Sequence, residues 1–135
     1  MNLNQEQLIK VQLIEQEINQ LNQQLQLIEE NIKEFGELIS SLNEIENNKN
    51  KDILANLGKR IYLPVEIKDN RLIVDVGKGN FVKKTISETK EIAKNQTEKL
   101  IEVKNEIIKR LEILQEEINN LIFEIEKEQK NKKSV

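Results

Sequence analysis

The sequence predicts a mainly α fold with a small β part: two long helices folded back as an antiparallel coiled-coil hairpin, joined by two β-hairpins that contribute to a β-barrel between subunits. Three observations carry this expectation. Apolar residues recur at alternating spacings of three and four in both flanks. Gly58, Pro64, Gly77 and Gly79 crowd one central stretch and leave only Gly36 outside it. Within that stretch apolar and other residues alternate with the period of a strand.

In the first flank, Val11, Ile14, Ile18, Leu21, Leu25, Ile28, Ile32, Phe35, Ile39 and Leu42 all fall on one three-four register. This predicts a helix over 3–47 with a coiled-coil seam. The poor helix formers from Asn47 to Asp52 end it.

The central region, 53–85, reads as two successive hairpins. Ile53 to Leu57 form a short strand before a turn at Gly58-Lys59. Ile61, Leu63, Val65 and Ile67 then alternate with Arg60, Tyr62, Pro64 and Glu66. After Asp69-Asn70, Leu72, Val74 and Val76 alternate with Arg71, Ile73 and Asp75, and Gly77-Lys78-Gly79-Asn80 turns the chain into Phe81-Val82-Lys83-Lys84.

Thr85, with Glu88 three residues on, matches a capping box and starts a second helix over 86–129. Its seam reads Leu100, Val103, Ile107, Leu111, Leu114, Ile118, Leu121 and Ile125. Consecutive fours at 103, 107 and 111 make a stutter, which predicts local unwinding. Toward its start the seam thins to Ile86, Ala93 and polar residues, so looser packing is expected there. Residues 130–135, rich in lysine, read as a frayed, solubilising tail.

Two helices of matched length hide their stripes most simply by folding back on each other, and a short connector favours this over the alternative, a parallel coil between two chains. Four short strands cannot enclose a core by themselves. Ile61, Leu63, Val65, Ile67, Leu72, Val74, Val76 and Phe81 are therefore the candidate oligomerisation residues of a single domain spanning 1–135.

Composition narrows the function. The 135-residue chain has no cysteine and no histidine, which removes disulfides, thiolate nucleophiles, imidazole bases and the metal sites those ligands build. Its carboxylates lie along solvated helix positions, so neither catalytic residues, nor a cofactor, nor a metal site is expected. Gly77-x-Gly79 lacks the Gly-Lys-Ser/Thr of a phosphate-binding loop. A net charge of −3 argues against a nucleic-acid partner. No run approaches the roughly 20 apolar residues of a membrane span, and the first 25 residues carry no signal-peptide block, so a cytoplasmic protein without membrane contact is expected. Asn95-Gln96-Thr97 fits a glycosylation sequon only by accident.

The order helix, two hairpins, helix, with Asn56-Leu57-Gly58 before one strand and the run Leu72 to Gly79 before Phe81-Val82, resembles the alpha-type subunit of prefoldin, a chaperone of archaea and eukaryotes. The likeness covers nearly the whole chain, and two hairpins fit the alpha type because beta-type subunits have one. It implies a hexamer of two alpha-type and four beta-type subunits, with six coiled-coil tentacles that hold unfolded client proteins without ATP and pass them to a group II chaperonin. A structural coiled-coil or filament-forming prefoldin-like protein is the alternative.

The same resemblance puts client binding at the coil tips. Leu3, Leu8, Ile9 and Leu13 lie at one terminus, and Leu121, Ile122, Phe123 and Ile125 at the other. Phe123 falls off the seam, so burial within one hairpin does not explain it. The alternative is that Leu3 to Leu13 continue the seam in frayed form and Phe123 is a tolerated surface residue. The eight glutamines between Gln5 and Gln26 either line a cavity or form an ordinary solvated face. Lys78, Lys83 and Lys84 either contact an anion or chaperonin, or deter edge aggregation.

Overall fold

A computed structural model of the chain describes the backbone of residues 2–48 and 51–133, and the side chains of 5–48 and 51–131. The elements run α1 (Asn2–Asn47), β1 (Asp52–Gly58), β2 (Ile61–Glu66), β3 (Arg71–Gly77), β4 (Asn80–Thr85) and α2 (Ile86–Lys133). Two long helices and two antiparallel hairpins are the expected class. The chain divides into two compact units, one of residues 1–31 with 100–135 and one of residues 32–99.

In the first unit the two helical segments run antiparallel. Arg110 donates from Nε and Nη2 to the Glu17 carboxylate at 3.0 and 3.3 Å, and Lys104 Nζ lies 3.7 Å from Glu29 Oε1. These hydrogen bonds to the Glu17 carboxylate raise the Arg110 pKa above its ordinary value. Along these segments Ile14, Ile18, Leu21, Leu25 and Ile28 are half-buried and Ile107, Leu114 and Ile118 are buried, Leu114 to only 1% exposure.

One expectation fails here. Val103 is 43% exposed, and the half-buried position is Lys104. The spacing from Leu100 to Leu111 therefore stays four, three, four, without a stutter. A lysine occupies a seam position because its aliphatic stem packs while its ammonium reaches out to Glu29.

In the second unit, Leu42, Ile86 and Ala93 are buried, Ala93 to 1% exposure. The looser packing expected near the start of α2 is corrected: a small side chain needs little room to be covered, and its neighbours solve their polarity locally. Thr97 Oγ1 donates to the Ala93 carbonyl at 2.8 Å, and Lys90 pairs with Glu46. Thr85 caps α2 by accepting the Glu88 N–H on Oγ1 at 3.0 Å. α2 reaches Lys133, past the expected limit at 129. The stretch from Glu126 onward holds no helix breaker, and its lysines suit the negative end of the helix dipole. Residues 134–135 lie outside the described residues, as do 49–50.

The hairpins are two separate two-stranded sheets with one construction. Every partner in β3–β4 sits 19 positions after its counterpart in β1–β2, from Asp52↔Glu66 and Arg71↔Thr85 to Gly58↔Ile61 and Gly77↔Asn80. Each has a bulge before its turn, and each turn carries two central residues at positive φ: Lys59 and Arg60 (53° and 64°), then Lys78 and Gly79 (53° and 74°). This is the type I′ geometry that matches strand twist. Asn56 and Asp75 each accept, on Oδ1, the N–H of the glycine two residues later at 2.8 Å. Ahead of β3, Asp69 accepts the Arg71 N–H at 3.0 Å and binds its guanidinium, with Lys83 Nζ at 3.9 Å.

Candidate functional site

Two surfaces stand out, one in each unit. In the first unit, the beginning of α1 meets the end of α2 around a groove of about 450 Å³ lined by Lys10, Leu13, Ile14, Glu117, Asn120, Leu121 and Glu124. Its floor is aliphatic and its rim carries both charges, so it fits apolar side chains on a polar backbone. Of the predicted tip residues, Leu13 (59% exposed) and Leu121 (half-buried) share this groove. Leu8, Ile9, Ile122 and Phe123 are exposed but are not among its lining residues, and Phe123 is 66% exposed, as its off-seam position suggests. Ile125 is half-buried. The side chain of Leu3 lies outside the described residues.

Sequence reasoning missed the rim. Lys10, Glu117, Asn120 and Glu124 read as ordinary solvated helix positions, and Ile14 as seam alone. The available signal was the pairing of apolar neighbours, Leu13-Ile14 and Leu121-Ile122, which no single seam position absorbs. Gln7 was also missed. It precedes Val11 at seam spacing, is only 9% exposed, and its Oε1 has no hydrogen-bond partner among the described residues. The other glutamines up to Gln26 are exposed.

In the second unit the hairpins present apolar side chains on both faces. Among the predicted assembly residues, Ile61, Leu63, Val76 and Phe81 are exposed, whereas Val65, Ile67, Leu72 and Val74 are half-buried. Register places Phe81 opposite Asp75, on the face of Ile73, whereas Leu72 and Val74 belong to the other face with Val82. Alternation along single strands therefore missed Leu54, Tyr62 and Ile73, all exposed. Lys83 lies beside Asp69, and Lys84 is half-buried opposite Leu72.

Among the described residues no group of three or more acidic, cysteine or histidine side chains is placed to hold a metal ion. No helix among them is long and apolar enough to cross a membrane.

Comparison with known proteins agrees with this architecture. Residues 14–131 match the family model described as Prefoldin subunit. Prefoldin subunit alpha 1 of Methanocaldococcus jannaschii is 30% identical over 112 residues, covering 79% of this chain and 79% of the relative. Probable prefoldin subunit 5 of Dictyostelium discoideum is 24% identical over 123 residues, covering 90% of this chain and 76% of the relative. In fold, the chain is similar to one from a cryo-EM structure of filamentous PFD from M. jannaschii, with a TM-score of 0.69 at 17% identity, over 84% of this chain and 96% of that one. With the family model spanning most of its length, and with two hairpins and archaeal alpha subunits among its relatives, the chain belongs to the prefoldin family of chaperone subunits and is of the alpha type.

Proposed function

We propose that this chain is a holdase subunit: it binds non-native polypeptides through the ends of its paired helices, without ATP, and releases them to a group II chaperonin in the cytoplasm. The observation that carries this is the groove between the start of α1 and the end of α2, with exposed Leu8, Ile9, Ile122 and Phe123 on the same stretches of helix. Single apolar contacts there are weak, and several copies in one assembly multiply them. The hairpins supply that assembly. Their exposed Leu54, Ile61, Leu63, Ile73 and Phe81 call for cover, and beta-type prefoldin subunits, two alpha to four beta, are the partners proposed to give it.

Two experiments test this reading. Mixing the chain with a beta-type subunit and measuring mass is expected to give a closed hexamer; open-ended growth would support a filament instead. Replacing Leu8, Ile122 and Phe123 together by Ser should preserve that mass but weaken ATP-free suppression of client aggregation. Suppression at the original level would place client binding elsewhere.

A further inference from the structure

The hydrogen-bond phase of the first hairpin decides which backbone groups it leaves for a neighbour. Ile67 N–H donates to the Lys51 carbonyl at 2.6 Å. In an antiparallel ladder bonded and non-bonded pairs alternate, so Ile53↔Val65 and Ala55↔Leu63 also exchange hydrogen bonds. The pairs between them, Leu54↔Pro64 and Asn56↔Tyr62, turn their backbone groups outward. Pro64, the only proline, thus sits where a missing N–H costs the hairpin nothing. Its effect falls on the outside. The outer edge of β2 lacks a donor midway, whereas β1 keeps the outward N–H and C=O of Leu54, whose side chain is 64% exposed. At the matching place in β4 stands Lys83, which retains its N–H.

We infer that the two edges of this hairpin hold neighbouring subunits unequally. A strand of another prefoldin subunit seats on the outer edge of β1 around the intact N–H and C=O of Leu54, while the junction at β2 is short of one N–H···O bond and is the place where subunits exchange. This rests on the proposed assembly through the hairpins. The occupant is an extended chain because the outward amides and carbonyls of this edge, apart from the Asp52 carbonyl that accepts from Asn48 Nδ2 at 3.3 Å, have no hydrogen-bond partner among the described residues, and another strand's backbone complements them. It is a subunit's strand because the apolar side chains of Leu54, Leu63 and Tyr62 beside that row need the lasting cover of a permanent partner.

Leu54 and Pro64 face each other in one outward pair, so exchanging their chemistry leaves the hairpin's own bonds in place. The test uses the full chain co-expressed with a beta-type subunit, with exchange between isotope-labelled and unlabelled complexes followed by native mass spectrometry. Pro64→Val restores the donor and is expected to slow exchange about fivefold, the effect of one ordinary hydrogen bond. Leu54→Pro removes the donor from the strong edge and is expected to speed exchange by at least as much. Wild-type exchange rates in both variants would overturn the inference while leaving the assembly reading intact. So would altered client retention at an unchanged exchange rate, which would assign the edge to clients. Failure of the wild-type chain to form any complex would overturn both.

Discussion

Asn56 and Asp75 do the same task 19 residues apart: each turns its Oδ1 onto the N–H of the glycine that closes its bulge, at 2.8 Å. An amide and a carboxylate serve equally because only one acceptor oxygen is used. We expect Asn56→Ala and Asp75→Ala each to destabilise the chain by about 0.5–1.5 kcal/mol in urea unfolding, and Asn56→Asp to be close to neutral.

Gly77 should be less tolerant than either, since its φ of +120° is closed to residues with a Cβ even though the space around it is open. Gly36 is the opposite case. It lies inside α1 with nothing within 4 Å of an added Cβ, so Gly36→Ala is expected to stabilise by about 1 kcal/mol. Paired melts of the two alanine variants, moving in opposite directions, check this.

The seam's course through α2 gives a sharper test. Val103→Lys should change stability by less than about 0.5 kcal/mol because the side chain faces water. Ile107→Ala should cost about 2–4 kcal/mol. Lys104→Leu should stabilise by about 1 kcal/mol, because the exposed ion pair it gives up with Glu29 is worth less than the apolar area gained. A large loss in Val103→Lys would restore the stutter.

Gln7 brings into the seam an acceptor without a partner among the described residues. Gln7→Leu is expected to stabilise by about 1–3 kcal/mol, since the desolvated oxygen disappears and the volume is kept. Hydrogen exchange of the amides from Leu8 to Leu13 should slow in that variant; unaltered exchange would count against the burial of this side chain.

Asp69 answers to pH. The Arg71 N–H first, and then its guanidinium, hold this carboxyl below its ordinary value of 3.8. A carboxyl lowered in the folded state adds stability that is complete above the ordinary value and is lost as pH falls through the lowered one. Carboxyl NMR should show the depressed titration. Arg71→Ala should return it only part of the way, because the amide of residue 71 remains.

The helices and hairpins were legible because each rests on a short-range rule: seam spacing, the Thr85 cap, glycine at positive φ. Lys104 was not, since a lysine scores as polar although most of its side chain is methylene, and the four-four spacing through Val103 looked complete without it. Ala93 misled for a related reason: its small size reads as a weak seam residue, yet it is almost fully covered. Phe123 was legible as an apolar residue off the seam, and Leu13 as an apolar residue near one terminus. The groove between helices was not, because its rim depends on which turns of α1 and α2 face each other. Phe81 and Ile73 share a face only through cross-strand register, which no single strand displays.

The shared register of the two hairpins also has a cost in addressing. In the proposed assembly an arriving strand would meet the same bulge, the same turn and the same spacing at two places on one chain, so backbone register alone would not tell it which berth is its own. The side chains that differ at matched places, among them Asp52 against Arg71, Pro64 against Lys83 and Val65 against Lys84, then label the two berths. Swapping those labels should misdirect partners without unfolding anything.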